Sequence, residues 1–204
     1  MVMPSNENDE IIFKILIVGD SSVGKTSLYY KYIEDFFPEN YVKTRGIDNK
    51  TKKITLKEVD IKLEIWDTEG QQKFKGVTNN FLNQVDGIMF VYDLTQSETF
   101  DYLKKWIAES EISVGTKKII IGNKKDLVSE RQVSEDSLKK FCDEKGLKRM
   151  EVSAKDGTNV NEAFKTLAEL IVGEKTKDEL IKTYTKNARI RLKDDEGNKR
   201  GCCC

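Results

Sequence analysis

Residues 19–26 read Gly19-Asp20-Ser21-Ser22-Val23-Gly24-Lys25-Thr26, which fits the pattern G-x-x-x-x-G-K-[ST]. An apolar run from Ile11 to Val18 precedes this segment, and apolar residues at helical spacing follow it from Thr26 to Phe37. The glycines are therefore expected in a turn between a strand and a helix, where backbone N–H groups and the helix N-terminus can hold an anion. The sequence predicts a phosphate-binding loop in which Lys25 reaches the outer phosphates and Thr26 offers its hydroxyl to magnesium.

The composition limits the chemistry that the chain can perform. Its 204 residues suit one α/β domain with a tail. The 35 basic and 35 acidic residues cancel, so the net charge implies no general attraction to nucleic acid. There is no histidine, which excludes histidine-based acid–base catalysis and histidine-ligated metals. The first residues are polar and acidic, and no apolar run reaches the length of a membrane span, so we expect a cytosolic protein.

Strand and helix patterns alternate along the whole chain, which predicts an α/β fold with a mostly parallel six-stranded sheet and helices on both faces. Thr51–Leu56 and Ile61–Trp66 form the expected antiparallel hairpin at one edge of this sheet. The other expected strands are Ile11–Val18, Gly87–Leu94, Ile119–Gly122 and Met150–Ser153, and the later helices are Ser97–Glu109, Ser134–Lys145 and Asn161–Val172. Asn159 and Glu162 suggest a capping box for the last of these helices. We expect a flexible N-terminus over residues 1–10, one domain over 11–173 and a flexible tail over 174–204.

A second group of polar residues follows the second strand of the hairpin, where Asp67 can hold magnesium through a water molecule. In the same segment the Gly70 N–H can reach a terminal phosphate, and Gln71 can orient an attacking water. By itself such a segment is also compatible with an ordinary turn. Its place after the phosphate-binding loop and the hairpin favours the functional interpretation.

The segment Asn123-Lys124-Lys125-Asp126 directly follows a predicted strand. The Asp126 carboxylate can accept hydrogen bonds from the N1–H and the exocyclic amine of guanine, whereas adenine would leave that charge unpaired. We therefore predict guanine as the base. Ser153-Ala154-Lys155 follows the last strand and can close the pocket with a backbone N–H on the guanine carbonyl.

With these motifs in order, the chain resembles the Ras-type small GTPases of the Rab branch over about residues 11–173, and again at its C-terminus. The resemblance implies a P-loop NTPase fold, with residues 11–173 as the GTP-binding domain. It implies GTP or GDP together with Mg²⁺ as ligands, and slow hydrolysis of GTP to GDP and phosphate. A P-loop kinase is disfavoured because the segments containing Asp67 and Asp126 have no role in such an enzyme.

The resemblance also implies individual roles for residues. Thr44 joins Thr26 and Asp67 at magnesium in the GTP state, Phe37 packs on the guanine, and Gln71 is the catalytic residue that positions water. The nucleotide-binding set that the motifs and the resemblance define together consists of Gly19, Asp20, Ser21, Ser22, Val23, Gly24, Lys25, Thr26, Ser27, Phe37, Thr44, Asp67, Gly70, Asn123, Lys124, Asp126, Ser153, Ala154 and Lys155.

Two charged residues in the switch segments depart from the family pattern. Glu69 stands where the family usually has alanine, and Arg45 stands where it usually has an apolar residue. Two like charges about 4 Å apart at an effective dielectric near 20 repel by roughly 4 kcal/mol, so Glu69 beside a γ-phosphate would disfavour GTP. Our hypothesis is that Glu69 pairs with Arg45, the alternative being that Glu69 points into solvent. A stronger effect of Glu69 would make the protein a hydrolysis-deficient nucleotide-binding interaction module.

The chain ends in Gly201-Cys202-Cys203-Cys204, which is not a C-a-a-X box. It resembles the paired-cysteine ends of Rab proteins, which receive two geranylgeranyl groups. Cys203 and Cys204 are the first choice of sites, and Cys202 remains open. A disulfide or a closed zinc site is disfavoured at such a cytosolic end. The other cysteine, Cys142, lies in a helical pattern and is expected to be a small core or surface residue.

The resemblance further implies a regulator of vesicle traffic at the cytoplasmic face of an intracellular membrane, cycling with the cytosol. The implied partners are a guanine-nucleotide exchange factor, a GTPase-activating protein, a GDP-dissociation inhibitor, a prenylation escort and effector proteins. The lipidated C-terminus provides the membrane contact, and no nucleic acid is expected as a partner.

Overall fold

The computed structural model describes residues 10–39, 47–68, 84–110 and 115–184. The strands among them are β1 (Ile11–Gly19), β2 (Ile47–Leu56), β3 (Val59–Thr68), β4 (Gly87–Asp93), β5 (Lys117–Asn123) and β6 (Lys148–Glu151). The helices are α1 (Lys25–Glu34), α2 (Ser97–Ser110), α3 (Glu135–Lys145), α4 (Val160–Val172) and a last helical segment, α5, over 177–184. A short 3-10 helix, Val128–Glu130, precedes α3.

The sheet has the strand order β2-β3-β1-β4-β5-β6, and β2 is its antiparallel edge strand. The other described pairs, β1 with β3 and β4, β4 with β5, and β5 with β6, are parallel. The turn between β2 and β3 consists of Lys57 and Glu58, whose φ angles of 49° and 58° are those of a two-residue hairpin turn with the same twist as the strands. The predicted fold class is confirmed, and both strands of the hairpin are longer than predicted.

Alternation along β1 explains why both faces of the sheet are covered. Phe13, Ile15 and Ile17 belong to an apolar cluster shared with α1 and α4. Leu16 and Val18 belong to a second cluster shared with α2 and α3. Because successive side chains of a strand point to opposite faces, a run that is apolar at nearly every position needs helices on both sides. Cys142 lies fully buried in the second cluster, as expected for a core residue, and this burial raises the pKa of its thiol to about 11.

The end of α1 and the position of β6 also differ from the prediction. Helix α1 ends at Glu34, three residues before the predicted end, because Asp35 adopts a left-handed conformation. The Asp35 N–H donates to the Lys31 carbonyl, and the Phe36 N–H donates to the Tyr30 carbonyl. Strand β6 spans Lys148–Glu151, so Ser153 lies beyond it, and its N–H donates to the Thr158 carbonyl instead of to a sheet partner.

The predicted capping box at α4 is also wrong. Asn159 has a left-handed φ of 59°, and its side-chain amide donates to the Glu151 carbonyl at 2.9 Å. Asn159 therefore ties the start of α4 to the end of β6, a long-range role that the spacing to Glu162 does not reveal. By contrast, α3 has local caps at both ends, with Ser134 as the N-cap and Gly146 in the left-handed C-cap position.

The segment after Gly173 differs from the expectation of a flexible tail in its described part. Thr176 and Glu179 form a reciprocal capping box, with the Glu179 carboxylate accepting from the Thr176 N–H at 2.9 Å and the Thr176 hydroxyl accepting from the Glu179 N–H at 3.4 Å. Helix α5 follows this box. Its residue Leu180 is fully buried in the cluster that contains Phe13, and the ring of Tyr184 lies 4.8 Å from the Phe13 ring.

The hairpin turn helps to hold this segment against the domain. The Lys57 ammonium donates to the carbonyls of Gly173 and Lys175, each at 3.0 Å. These carbonyls lie at the end of α4 and just beyond it, where helix carbonyls lack intrahelical partners. The described part of the segment after Gly173 therefore packs against the domain as far as Tyr184. Across the described ranges, no helix combines the length and the apolar character that a membrane span needs.

We expect Leu180→Ala to lower the free energy of undocking of α5 by about 2–4 kcal/mol, because the change removes a fully buried side chain and leaves a cavity. Hydrogen exchange of the amides in 177–184 measures this as faster exchange confined to that helix. Ile181→Ala is the matched control, since Ile181 is 38% exposed. Equal exchange in the two variants would contradict the docked helix.

Candidate nucleotide-binding site

The phosphate-binding loop predicted from the sequence follows β1 and leads into α1. Gly24 is the N-cap of α1, with a left-handed φ of 91°, and Ser22 also has a positive φ of 62°. Such alternation of conformations curls the backbone so that successive N–H groups face one concavity. At the start of the loop, a Cβ on Gly19 would lie 2.1 Å from the Val91 carbonyl oxygen, so the loop can leave the sheet there only without a side chain.

Lys25 is buried at the first position of α1, and its ammonium donates to the Asp20 carbonyl at 2.7 Å. Burial lowers the pKa of Lys25 to about 8, and the nearby carboxylates of Asp67 and Asp20 oppose that shift. A buried cation with few counter-charges favours an anionic ligand, because the ligand restores the charge balance that burial removed.

Thr26 and Asp67 meet at the second part of the site, where the Thr26 hydroxyl donates to the Asp67 carboxylate at 2.6 Å. Asp67 is fully buried near the end of β3, and its neighbour Thr68 binds the Ile17 carbonyl of β1 at 2.9 Å. A hydroxyl and a carboxylate are hard oxygen ligands that fit magnesium. Within the described ranges, no group of three or more acidic, cysteine or histidine side chains is placed to hold a metal.

Asn123 connects three segments of the site. Its side-chain N–H donates to the Val23 carbonyl of the phosphate-binding loop at 2.9 Å, and its side-chain oxygen accepts from the Ala154 N–H at 3.1 Å. The residue is 1% exposed. Sequence reasoning assigned Asn123 to the base and Ala154 to the pocket wall. In the structure, the Asn123 side chain and the Ala154 N–H connect the phosphate-binding loop to the loop after β6, which is far away in the chain.

Asp126 is oriented by the loop that follows β6. The Ser153 hydroxyl donates to one Asp126 carboxylate oxygen at 2.7 Å, and the same hydroxyl accepts from the Asp156 N–H at 3.2 Å. An ionised carboxylate has about four lone-pair positions, so this bond leaves Asp126 able to accept two more. The two predicted base-binding segments therefore lie together, with a carboxylate that can pair with adjacent N–H donors.

Residues 14–173 match the Ras family. The chain belongs to the Ras family. It is 44% identical over 161 residues to Ras-related protein Rab-8B of Pongo abelii, covering 78% of each chain. It is also 35% identical over 201 residues to Ras-related protein RABD2a of Arabidopsis thaliana, covering 97% of this chain and 98% of that protein. GTP-binding protein YPTM2 of Zea mays is 34% identical over 201 residues, with 98% of both chains covered.

These relatives place the chain in the Rab branch, as the resemblance indicated, and the protein is a GTPase that binds GTP and GDP. Regulators and effectors belong to the biology of this family. The convergence of the predicted segments agrees with that membership, since ligands of such sheets bind beyond the carboxyl ends of the strands.

Sequence reasoning missed one ion pair that connects the predicted base-binding loops of this Rab-branch GTPase. The Arg131 guanidinium bonds to both carboxylate oxygens of Glu151, and its Nε donates to the Val133 carbonyl at 3.0 Å. The pair joins the loop after Asp126 to the strand before Ser153. Two-point binding of this kind fixes orientation as well as distance. No local pattern marks the pair, because its members lie twenty residues apart on different elements.

Several predicted site residues lie outside the described residues, namely Thr44, Arg45, Glu69, Gly70, Gln71, Cys202, Cys203 and Cys204. Their roles and the pairing of Arg45 with Glu69 stay predictions. Phe37 is described, and it is partly buried against the cluster shared by β1, α1 and α4. Lys155 is exposed beside Ala154.

Proposed function

We propose that this Rab-branch GTPase is a membrane-anchored switch that regulates vesicle traffic by alternating between GTP-bound and GDP-bound states. The observation that carries the proposal is the Asn123 bridge, which joins the phosphate-binding loop at Val23 to the base-binding loop at Ala154. Asn123 holds the loop of Val23 and the loop of Ala154 at a fixed distance from each other. Such a site fits a ligand that has phosphates at one end and a guanine at the other.

In this proposal, the phosphates lie in the curled loop of residues 19–27, where backbone N–H groups and Lys25 hold them. Asp126 accepts from the N1–H and exocyclic amine of guanine, while Lys124 and Asn123 complete that end of the site. The Ser153 hydroxyl keeps the Asp126 carboxylate from rotating. The phosphate end supplies most of the affinity through charge, and the base end supplies the selectivity.

Magnesium fits the oxygen donors at the phosphate end, with Thr26 and Asp67 as described ligands and Thr44 as an added ligand in the GTP state. When bound, the ion neutralises charge on the phosphates and stabilises the charge that develops during transfer. The Thr26 hydroxyl already faces the Asp67 carboxylate at 2.6 Å, so the two oxygens that would hold the ion are positioned by α1 and β3.

The proposed hydrolysis depends on Gln71 orienting a water molecule in line with the terminal phosphate, with the Gly70 N–H bonded to that phosphate. Lys25 stabilises negative charge on the transferred group. Glu69 opposes the GTP state by its charge, and Arg45 offsets part of that repulsion if the two side chains pair. Hydrolysis is slow without an activating protein, which supplies a catalytic arginine or completes the catalytic site.

The proposed membrane contact is made by two geranylgeranyl groups on Cys203 and Cys204, with Cys202 as the other possible acceptor. Two chains give stable anchoring where a single chain gives reversible binding, since each buried CH₂ contributes about 0.8 kcal/mol. The protein then cycles between the cytoplasmic face of an intracellular membrane and the cytosol. Its proposed partners are an exchange factor, an activating protein, a GDP-dissociation inhibitor, a prenylation escort and effectors.

Single-turnover hydrolysis of GTP by the purified full-length protein tests the switch. We expect wild type to turn over and Gln71→Leu to be slower by about 100-fold, because leucine cannot orient water. We expect Glu69→Ala to bind GTP more tightly relative to GDP, since the change removes a negative charge next to the γ-phosphate.

Gln72→Leu is the matched control, because it makes the same substitution one residue further along and should leave the rate near that of wild type. Equal loss in the Gln71 and Gln72 variants would contradict the assigned role of Gln71. Inert wild type together with active Glu69→Ala would contradict hydrolysis as part of the natural cycle.

A further inference from the structure

Asp93 is a buried carboxylate at the carboxyl end of β4 and is not among the site residues predicted from the sequence. Its side chain is 1% exposed. One oxygen accepts from the Thr95 N–H at 2.9 Å and from the Thr95 hydroxyl at 2.7 Å. The other oxygen lies 2.5 Å from the Lys124 ammonium. Thr95 therefore fixes the rotation of the carboxylate, and the fixed carboxylate holds the lysine.

Lys124 is held at its backbone as well. Its φ of 67° lies in the left-handed region, which is unfavourable for a lysine and persists where the surroundings determine it. The next residue donates its N–H to the Val152 carbonyl at 3.0 Å, and the Leu127 N–H donates to the Lys124 carbonyl at 3.0 Å. The Lys124 backbone lies just beyond β5, and its ammonium lies at the end of β4. The methylene chain between them therefore crosses the ends of both strands.

The strand order places the Lys124 side chain on the expected path of the nucleotide. Strand β4 lies between β1, which leads to the phosphate-binding loop, and β5, which leads to Asp126. A nucleotide that reaches from the first loop to the second must cross the end of β4. The chain of Lys124 lies on that path, and lysine methylenes offer an apolar surface to a ring while the ammonium is held elsewhere.

We propose that Asp93 is a positioning residue for the nucleotide: by binding the Lys124 ammonium it holds the methylene chain of that lysine in place under the base and ribose. This rests on the proposed binding of guanine nucleotides at this site. Asp93 acts through Lys124 and touches neither the phosphates nor the N–H donors of the base. Its effect should therefore be the same for any purine that binds in this orientation.

The test is the dissociation rate of two nucleotides, N-methylanthraniloyl-labelled GDP and the corresponding inosine diphosphate, from the full-length protein. Asp93→Asn keeps an oxygen for Thr95 and removes the charge that binds Lys124. We expect release of both nucleotides to be about tenfold faster, because the change removes the ion pair that holds the Lys124 ammonium. Lys124→Met should have a similar effect, and the double variant should be no faster than Lys124→Met alone.

Asp86→Asn is the matched control at the other end of β4, where the Asp86 carboxylate accepts from the Lys14 N–H at 2.8 Å. It should lower the melting temperature and leave nucleotide release unchanged. A milder second variant, Thr95→Val, removes one donor that orients Asp93 and should speed release of both nucleotides by about threefold.

The outcomes distinguish a failure of the proposed function from a failure of the positioning role of Asp93. If wild type holds neither labelled nucleotide, the proposed function fails. If wild type holds GDP but Asp93→Asn releases it at the wild-type rate, the positioning role is overturned. Additive effects in the double variant, or acceleration of GDP alone, overturn it too. Should Asp93→Asn not fold, release from Thr95→Val at the wild-type rate overturns it.

Discussion

Replacing Asp126 with asparagine is expected to change the preferred base from guanine to xanthine. Asparagine keeps an oxygen for the Ser153 hydroxyl, which donates to Asp126 at 2.7 Å, so the side chain should keep its orientation. It loses one acceptor and gains a donor. The exocyclic amine of guanine then faces an N–H group, whereas the corresponding carbonyl of xanthine can accept from it.

The expected loss of GDP affinity is about 3–6 kcal/mol, because both hydrogen bonds from the base to the carboxylate are charge-assisted. That corresponds to roughly 10²- to 10⁴-fold in the dissociation constant. Displacement of a bound fluorescent nucleotide by GDP or by xanthosine diphosphate measures the change in base preference. Asp156→Asn, in the adjacent loop, is the matched control and should leave the preference unchanged. Undiminished GDP affinity in Asp126→Asn would remove Asp126 from the base pocket.

Gly24→Ala is expected to abolish nucleotide binding and to destabilise the fold, because there is no space for the methyl group. A Cβ at this position would lie 2.3 Å from the Asn123 side-chain nitrogen, and the glycine φ of 91° is strained for alanine. The methyl would displace the side chain that binds Val23 and Ala154. We expect a loss of more than about 100-fold in GDP affinity, since the change separates the phosphate and base loops.

Gly115→Ala separates backbone strain from displacement of Asn123. Gly115 has a φ of 92°, and no described atom lies within 4 Å of its Cβ position. This variant should cost about 1–2 kcal/mol of stability from strain alone and should leave GDP affinity unchanged. Denaturant unfolding and GDP titration on the same samples measure both quantities. Equal affinities for GDP in the two alanine variants would show that the Asn123 bridge is unimportant for binding.

The protein's fold class and its ligand class could both be predicted from the sequence, because the decisive signals are local. The alternation of strand and helix patterns depends on residues that are neighbours or one helical turn apart. The phosphate-binding loop is eight consecutive residues long, and its glycines have a physical reason in the turn that they form. The prediction of guanine came from the hydrogen-bond acceptors of one side chain, Asp126.

Errors in the sequence-based predictions arose where a distant partner overrides a local pattern. The spacing of Asn159 and Glu162 suits a capping box, yet the Asn159 amide binds the Glu151 carbonyl of β6. The charged segment after Gly173 suggested a flexible tail. Instead, Leu180 is buried in the core and Lys57 binds carbonyls more than a hundred residues away. Local composition cannot report burial that depends on a surface built by other strands.

The sequence alone therefore determined the order of the elements, the phosphate-binding loop and the chemistry of the base. Only the tertiary structure decided that Asn123 joins the two ends of the site, that Arg131 and Glu151 tie the base loops together, and that Asp93 holds Lys124. The physical reason is that these contacts depend on the order of strands in the sheet. That order brings together side chains from separate loops, and it is set by packing of the whole chain.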